Sequence, residues 1–185
     1  MFILVCLITS LGTVCHGEES ATRKFMATTV SNLFFSSSGD YRQVYGQMAF
    51  MPEVKIIGQV YKDFTAWGSF SFIGKDGFIE EVEEKAHISQ TMFALGIGYV
   101  HKFTSLLRIR GELGITSISF KEEALDETFK GSGLGWKIGA NLDYFIGKKL
   151  FATLTAAFSQ ASDEGQAGKI ELGGFQARAG IGFAF

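Results

Sequence analysis

Apolar and polar residues alternate one by one along most of this chain, and a period of two separates them only if the chain runs as β-strands with two unlike faces. In residues 106–120, Leu107, Ile109, Gly111, Leu113 and Ile115 share one face, while Arg108, Arg110, Glu112, Gly114 and Thr116 share the other. A helix would spread those charges around its circumference. Between 133 and 146, Leu134, Trp136, Ile138, Ala140, Leu142 and Tyr144 oppose Lys137, Gly139, Asn141 and Asp143. The same rule sorts Leu150, Ala152, Leu154, Ala156 and Phe158 from Thr153, Thr155 and Ser159, and Phe175, Ala177, Ala179, Ile181, Phe183 and Phe185 from Gln176, Arg178, Gly180 and Gly182. Upstream it covers Phe93–Leu95–Ile97–Tyr99, Phe64–Ala66–Gly68–Phe70–Phe72 and Val54–Ile56–Gly58–Val60, the last opposed by Glu53, Lys55 and Gln59.

Eight strands follow, over 25–35, 43–61, 64–74, 87–101, 105–120, 132–146, 149–161 and 170–185. Pro52 cannot donate to a ladder, so the long second strand is expected to bulge or break near Met51-Pro52. Lys62-Asp63, Lys102-Phe103-Thr104 and Gly147-Lys148 read as tight turns; 36–42, 75–86, 121–131 and 161–169 read as longer polar or acidic loops. Short turns at one end and long loops at the other describe an all-β, antiparallel up-and-down barrel in a single domain.

Two ways of filling such a barrel remain. A soluble lipocalin-like barrel turns its apolar face inward; a transmembrane β-barrel turns it to lipid. Strands of this length suffice to cross a bilayer at a tilt. At mid-membrane each Arg or Lys facing lipid would cost about 2–4 kcal/mol. The membrane form therefore expects a plugged polar lumen with a charge network of Glu53, Lys55, Arg108, Arg110, Glu112, Lys137, Asp143 and Arg178. Glycines at 96, 98, 114, 135, 139, 180 and 182 are expected to make room for the long cations, and Phe64, Tyr99 and Tyr144 to form an interfacial girdle. Composition agrees: 46% of the 185 residues are hydrophobic, yet past residue 15 no run approaches the roughly 20 apolar residues of a spanning helix. A net charge of -2 leaves no basic footprint for nucleic acid.

Residues 1–15 are uncharged and mostly apolar, followed by His16-Gly17-Glu18-Glu19. They read as a signal peptide, 1–17, removed after Gly17 to leave a single domain over 18–185. Acylation at Cys15 is the competing reading, for which Gly12 and Val14 are a poor match. Cys6 and Cys15 both fall in this segment, so the mature domain is expected to hold no disulfide, metal–thiolate site or cysteine nucleophile.

The terminal pattern Ala177-x-Ala179-x-Ile181-x-Phe183-x-Phe185 resembles the closing strand of bacterial outer-membrane barrels. With the signal peptide, the eight strands and the loop alternation, the chain resembles the small bacterial outer-membrane β-barrel family, the OmpA/OmpX-like group. That resemblance implies a bacterial outer-membrane location, contact with outer-membrane lipids, a monomer, and an assembly signal at Ile181, Phe183 and Phe185 read by the barrel assembly machinery.

One constellation offers chemistry. His87-Ile88-Ser89 puts His87 and Ser89 on one strand face, with Glu83 or Glu84 placed to orient the imidazole. This resembles the His-x-Ser element of an outer-membrane lipid A deacylase, although Gln90-Thr91 replace the Asn-Ala expected after that serine. The acidic run 80–85 and the group Glu122, Glu123, Asp126 and Glu127 lack EF-hand spacing, and Gly96-x-Gly98 and Gly133-x-Gly135 lack the helix that a phosphate loop requires. No cofactor or metal is expected. The reading is therefore a non-enzymatic outer-membrane barrel with a structural or surface-interaction role through its long loops. The alternatives are a conduit or binder for small apolar molecules, or a lipid A acyl hydrolase.

Overall fold

A computed structural model describes residues 25–79, 83–125, 127–165 and 168–185. The segment 1–17 with both cysteines, Glu80, Glu81 and Asp126 lie outside the described residues. The elements are β1 (Phe25–Ser36), α1 (Gly39–Tyr45), β2 (Met48–Phe50), β3 (Glu53–Tyr61), β4 (Phe64–Ile79), β5 (Glu84–Lys102), β6 (Leu107–Ala124), β7 (Glu127–Phe145), β8 (Leu150–Gly165) and β9 (Gly168–Ala184). All the strand pairs are antiparallel. β9 returns to β1, from Met26 opposite Ala184 to Ser36 opposite Gly174, and closes the barrel.

β2 and β3 are two pieces of one stave, which makes eight staves in all. Leu33 faces Phe50 and Val30 faces Glu53, so no residue is inserted between them. Pro52 interrupts the ladder without shifting its register, and the Met51 amide still donates to Asn32 O at 2.8 Å. Following Cα partners from Met26 through Ile57, Trp67, Gly96, Gly114, Lys137, Ser159 and Gly174 returns to β1 at Ser36, ten residues higher. A stagger of that size tilts the staves by about 40° and leaves an interior that side chains just fill.

The outward positions carry the apolar residues of the alternation. Ile97, Leu113, Ile115, Leu134, Leu154 and Ile181 are each more than half exposed. At the short-turn end Phe64 and Tyr99 meet edge to face at 5.3 Å, with Tyr144 at the same rim.

Three expectations are corrected. Residues 43–45 belong to α1 rather than to the second strand. Ser38 caps this helix, its Oγ accepting the Tyr41 amide, and Asp40 suits the first turn. The expected loops 75–86, 121–131 and 161–169 are mostly paired strand: the ladders run on to Ile79–Glu84, Ala124–Glu127 and Gly165–Gly168. Beyond the belt both faces are largely polar, so pairing continues where the hydrophobic period has faded. Finally, three of the lumenal glycines accommodate rings. An added Cβ would lie 2.6 Å from the Trp67 ring at Gly96, 2.8 Å at Gly114, and 2.2 Å from the Phe151 ring at Gly182. The indole so admitted donates from Nε1 to Ile97 O at 3.0 Å.

A Cβ at Gly96 would also sit 2.2 Å from Leu113 O, whereas one at Gly111 would meet nothing within 4 Å. Gly96→Ala should therefore destabilise the barrel by about 1–3 kcal/mol through overpacking, and Gly111→Ala should leave it unchanged. Urea midpoints in lipid vesicles, read by heat-modifiable gel migration, check this pair.

Candidate functional site

The lumen is built in storeys. Nearest the short turns, Met26, Ile57, Trp67, Ala94, Phe145, Phe151 and Ala184 form an apolar base. Arg108, half-buried, lays its guanidinium over the Phe145 ring at 4.4 Å.

Above the base lies a charged layer. Glu53, Lys55, Arg110, Glu112, Lys137, Asp143 and Arg178 are all buried. Lys55 Nζ meets Glu112 Oε2 at 2.5 Å, Arg110 Nε meets Glu112 Oε1 at 2.8 Å, and Arg110 reaches Asp143 Oδ2 at 2.9 Å. Glu53 receives Arg178 on one oxygen and Lys137 on the other, the latter at 3.1 Å. β3 and β7 are diametrically opposite staves, so the Glu53–Lys137 pair spans the lumen. Thr153 donates to Asp143 Oδ1 at 2.7 Å, Thr155 to Asn141 Oδ1 at 2.8 Å, and Asn141 to Arg110 O at 3.2 Å. Arg178 also donates to Gln176 Oε1, and Gln176 to Ser159 Oγ at 3.2 Å. The void among Thr28, Val30, Asn141, Thr155 and these charges has no room for a water molecule.

Such pairing is what permits the charges to be there. An isolated ion in a low-dielectric lumen would carry a large desolvation penalty, which opposite charge and hydrogen bonds offset. Four buried basic side chains face three buried carboxylates among the described residues. Eight charged residues were marked by alternation alone; their polar partners Asn141, Thr153, Thr155, Ser159 and Gln176 lie on the same inward positions, and only register shows which of them touch.

The upper lumen is different. Met92, Ile118, Phe120, Ala161 and Leu172 form one apolar cluster, and Phe34, Ala49, Met51 and Ile73 another. Above them, beyond the apolar belt, α1 reaches inward from between β1 and β2. Tyr45 packs on Ala86, Ile88 and Ala124 and donates from its hydroxyl to Glu122 Oε1 at 2.6 Å. Gly77 makes this seat: a Cβ there would lie 2.6 Å from the Tyr45 ring and 2.7 Å from Val44 O. Burial pushes the Tyr41 phenol up to about 12, and burial with the Glu122 bond raises that of Tyr45. Both phenols thus stay neutral throughout the physiological range. Between α1 and the apolar clusters is a cavity of about 480 Å³. In the sequence, Ser38 with Asp40 and the spacing of Tyr41, Val44 and Tyr45 were the available signs of this helix.

His87 and Ser89 stand on the outward face above the belt. His87 Nδ1 lies 2.7 Å from Asp76 Oδ1, so the carboxylate beside it is Asp76 and not Glu83 or Glu84. The Ser89 hydroxyl donates to Lys121 O at 3.5 Å rather than to the imidazole. The neighbouring carboxylate of Glu123 is held below the usual range by the hydrogen bond from Lys121.

No family model and no curated protein sequence matches the chain. Solved structures do. Neisserial surface protein A is 9% identical with a TM-score of 0.66, over 90% of this chain and all of that one. The Yersinia pestis attachment invasion locus protein Ail is 14% identical at 0.55, over 88% and 97% of the two chains. The N-terminal β-barrel domain of Pseudomonas aeruginosa OprF is 15% identical at 0.57, over 88% and 98%. The chain thus has the closed eight-stranded fold of small outer-membrane β-barrels.

Glu53→Gln would leave Lys137 and Arg178 facing a neutral amide. Removing one partner of a buried ion pair costs about 3–5 kcal/mol, so this substitution should lower the urea midpoint strongly, while Glu123→Gln, on an exposed pair, should not move it.

Proposed function

We propose that this chain is an integral protein of a bacterial outer membrane, a sealed and non-enzymatic β-barrel that acts as structural support and presents its hairpin ends to a surface partner. The observation that carries this reading is its inverted polarity. Seven charged side chains are buried in the lumen, while Phe70, Phe93, Leu95, Ile115, Leu134, Ile138 and Leu154 stand exposed around the outside. In water that outer belt would be an aggregation surface; in lipid it is the expected face. The closed ladder supports the same reading, because a barrel has no unpaired strand edge to satisfy in hydrocarbon. It also supports a monomer, since no sheet edge is offered to another copy.

A sealed lumen follows from the charged layer. An ion crossing it would have to break several buried pairs. Ladders that continue past the belt make β4–β5, β6–β7 and β8–β9 paired projections, suited to contact at the cell surface. The Ser89 hydroxyl, held on Lys121 O rather than on the His87 imidazole, favours this role over acyl-ester hydrolysis.

Planar-bilayer recordings of the refolded protein should show no stable large conductance; a steady open level of porin size would overturn the sealed reading. We assign the assembly signal to Ile181, Phe183 and Phe185, which are all outward-facing, with Phe183 and Phe185 rings 5.2 Å apart. The Phe185 amide donates to Phe25 O at 2.8 Å beside the closing seam. Phe185→Ala should reduce insertion in cells while refolding into pure lipid vesicles keeps its yield. Equal loss in both would assign Phe185 to stability instead.

A further inference from the structure

We propose that the cavity beneath α1 is a binding site for a small uncharged molecule with an apolar body and one hydrogen-bond-accepting oxygen, such as a ketone, ester or ether. Its volume of about 480 Å³ lies within the range of small-molecule sites. β1, β5, β6 and β9 supply the walls and α1 the roof; Phe34, Ile88, Phe120 and Leu172 supply the apolar part of the lining. Gly39 and Asp40, both exposed, stand at its mouth.

Two polar groups give the site its chemistry. Gln90 lines the cavity and is only 5% exposed, yet its Nε2 has no hydrogen-bond partner among the described residues. A buried amide N–H without a partner is destabilising, and its residue stands in the wall of a space that can hold an acceptor. Nε2 only donates, which specifies an accepting oxygen. The Tyr41 hydroxyl, also lining the cavity, likewise has no partner among the described residues and can donate or accept. The charged residues of the lining are Asp40 and Glu122, both acidic. A carboxylate ligand such as a fatty acid would be repelled, so the occupant is neutral. Below the cavity the charged layer blocks onward passage, which makes this a binding site and not a conduit.

The full barrel in lipid nanodiscs, methyl-labelled at Ile and Leu, is titrated with 4-phenyl-2-butanone, butylbenzene and 4-phenylbutyrate. The ketone should shift the Ile88 and Leu172 methyl signals saturably, with outward-facing Ile97 reporting partition into lipid. Butylbenzene, lacking the oxygen, should bind several-fold more weakly, and 4-phenylbutyrate should not shift these methyls at neutral pH. Gln90→Leu keeps the apolar walls and should weaken the ketone about ten-fold, the worth of one hydrogen bond. Leu172→Trp fills the space and should abolish the shifts. The proposal is overturned if the ketone leaves both methyls unmoved, if Gln90→Leu binds it as tightly as the parent chain, or if the carboxylate binds equally well. Should Leu172→Trp fail to fold, the Gln90→Leu and butylbenzene arms decide. Heat-modifiable migration of the same samples reports the barrel separately, so loss of binding leaves that reading standing.

Discussion

Closure of the ladder between β1 and β9 is the constraint from which the rest of this molecule follows. With a register that climbs ten residues in one circuit, eight staves enclose a space that side chains must fill, since neither a pore nor a collapsed sheet satisfies the geometry. Every inward position then becomes a packing problem. Small residues at Gly96, Gly114 and Gly182 coexist with the rings of Trp67 and Phe151 because the tube is too narrow for a Cβ and a ring at one level.

Filling a tube with side chains that face away from a nonpolar belt reverses the usual inside and outside. Apolar residues are needed outside, so the lumen can hold charge, provided each charge finds its opposite. Glu53 serves Lys137 and Arg178, and Glu112 serves Lys55 and Arg110. The Glu53–Lys137 pair binds opposite staves to one another across the lumen, in addition to the hydrogen bonds around its wall. Above the layer the filling becomes apolar and incomplete, and α1 closes the mouth through Tyr45 and Glu122. The lower lumen is thus filled, and the space that remains lies in the upper.

Legibility along the chain tracks the contrast between the two faces. Where one face is apolar, as in β6 from Leu107 to Thr116, alternation alone sorts Ile109, Leu113 and Ile115 from Arg110 and Glu112. In the hairpin ends the contrast fades, and residues such as Glu122, Glu123 and Thr128 read as loop although their backbones are paired. The helix was hidden for a different reason: seven residues cannot display much more than one helical repeat, and Tyr45 looks equally at home in a strand. At the candidate sites, charge type was visible in single residues. The pairing of Glu53 with Lys137 and Arg178, 84 and 125 positions away, was not.

The sequence by itself determined the strand period, the two unlike faces of each strand, the place where Pro52 interrupts a ladder, and the tight turns at one end. All of these are local, because a β-strand exposes its face preference within a few residues and proline lacks its amide wherever it stands. The tertiary structure alone decided the ten-residue stagger, the partners of each buried charge, the docking of α1 on Gly77 and Glu122, and the cavity that leaves Gln90 Nε2 unpaired. These depend on which staves face one another across the lumen, and that relation exists only once the ladder has closed.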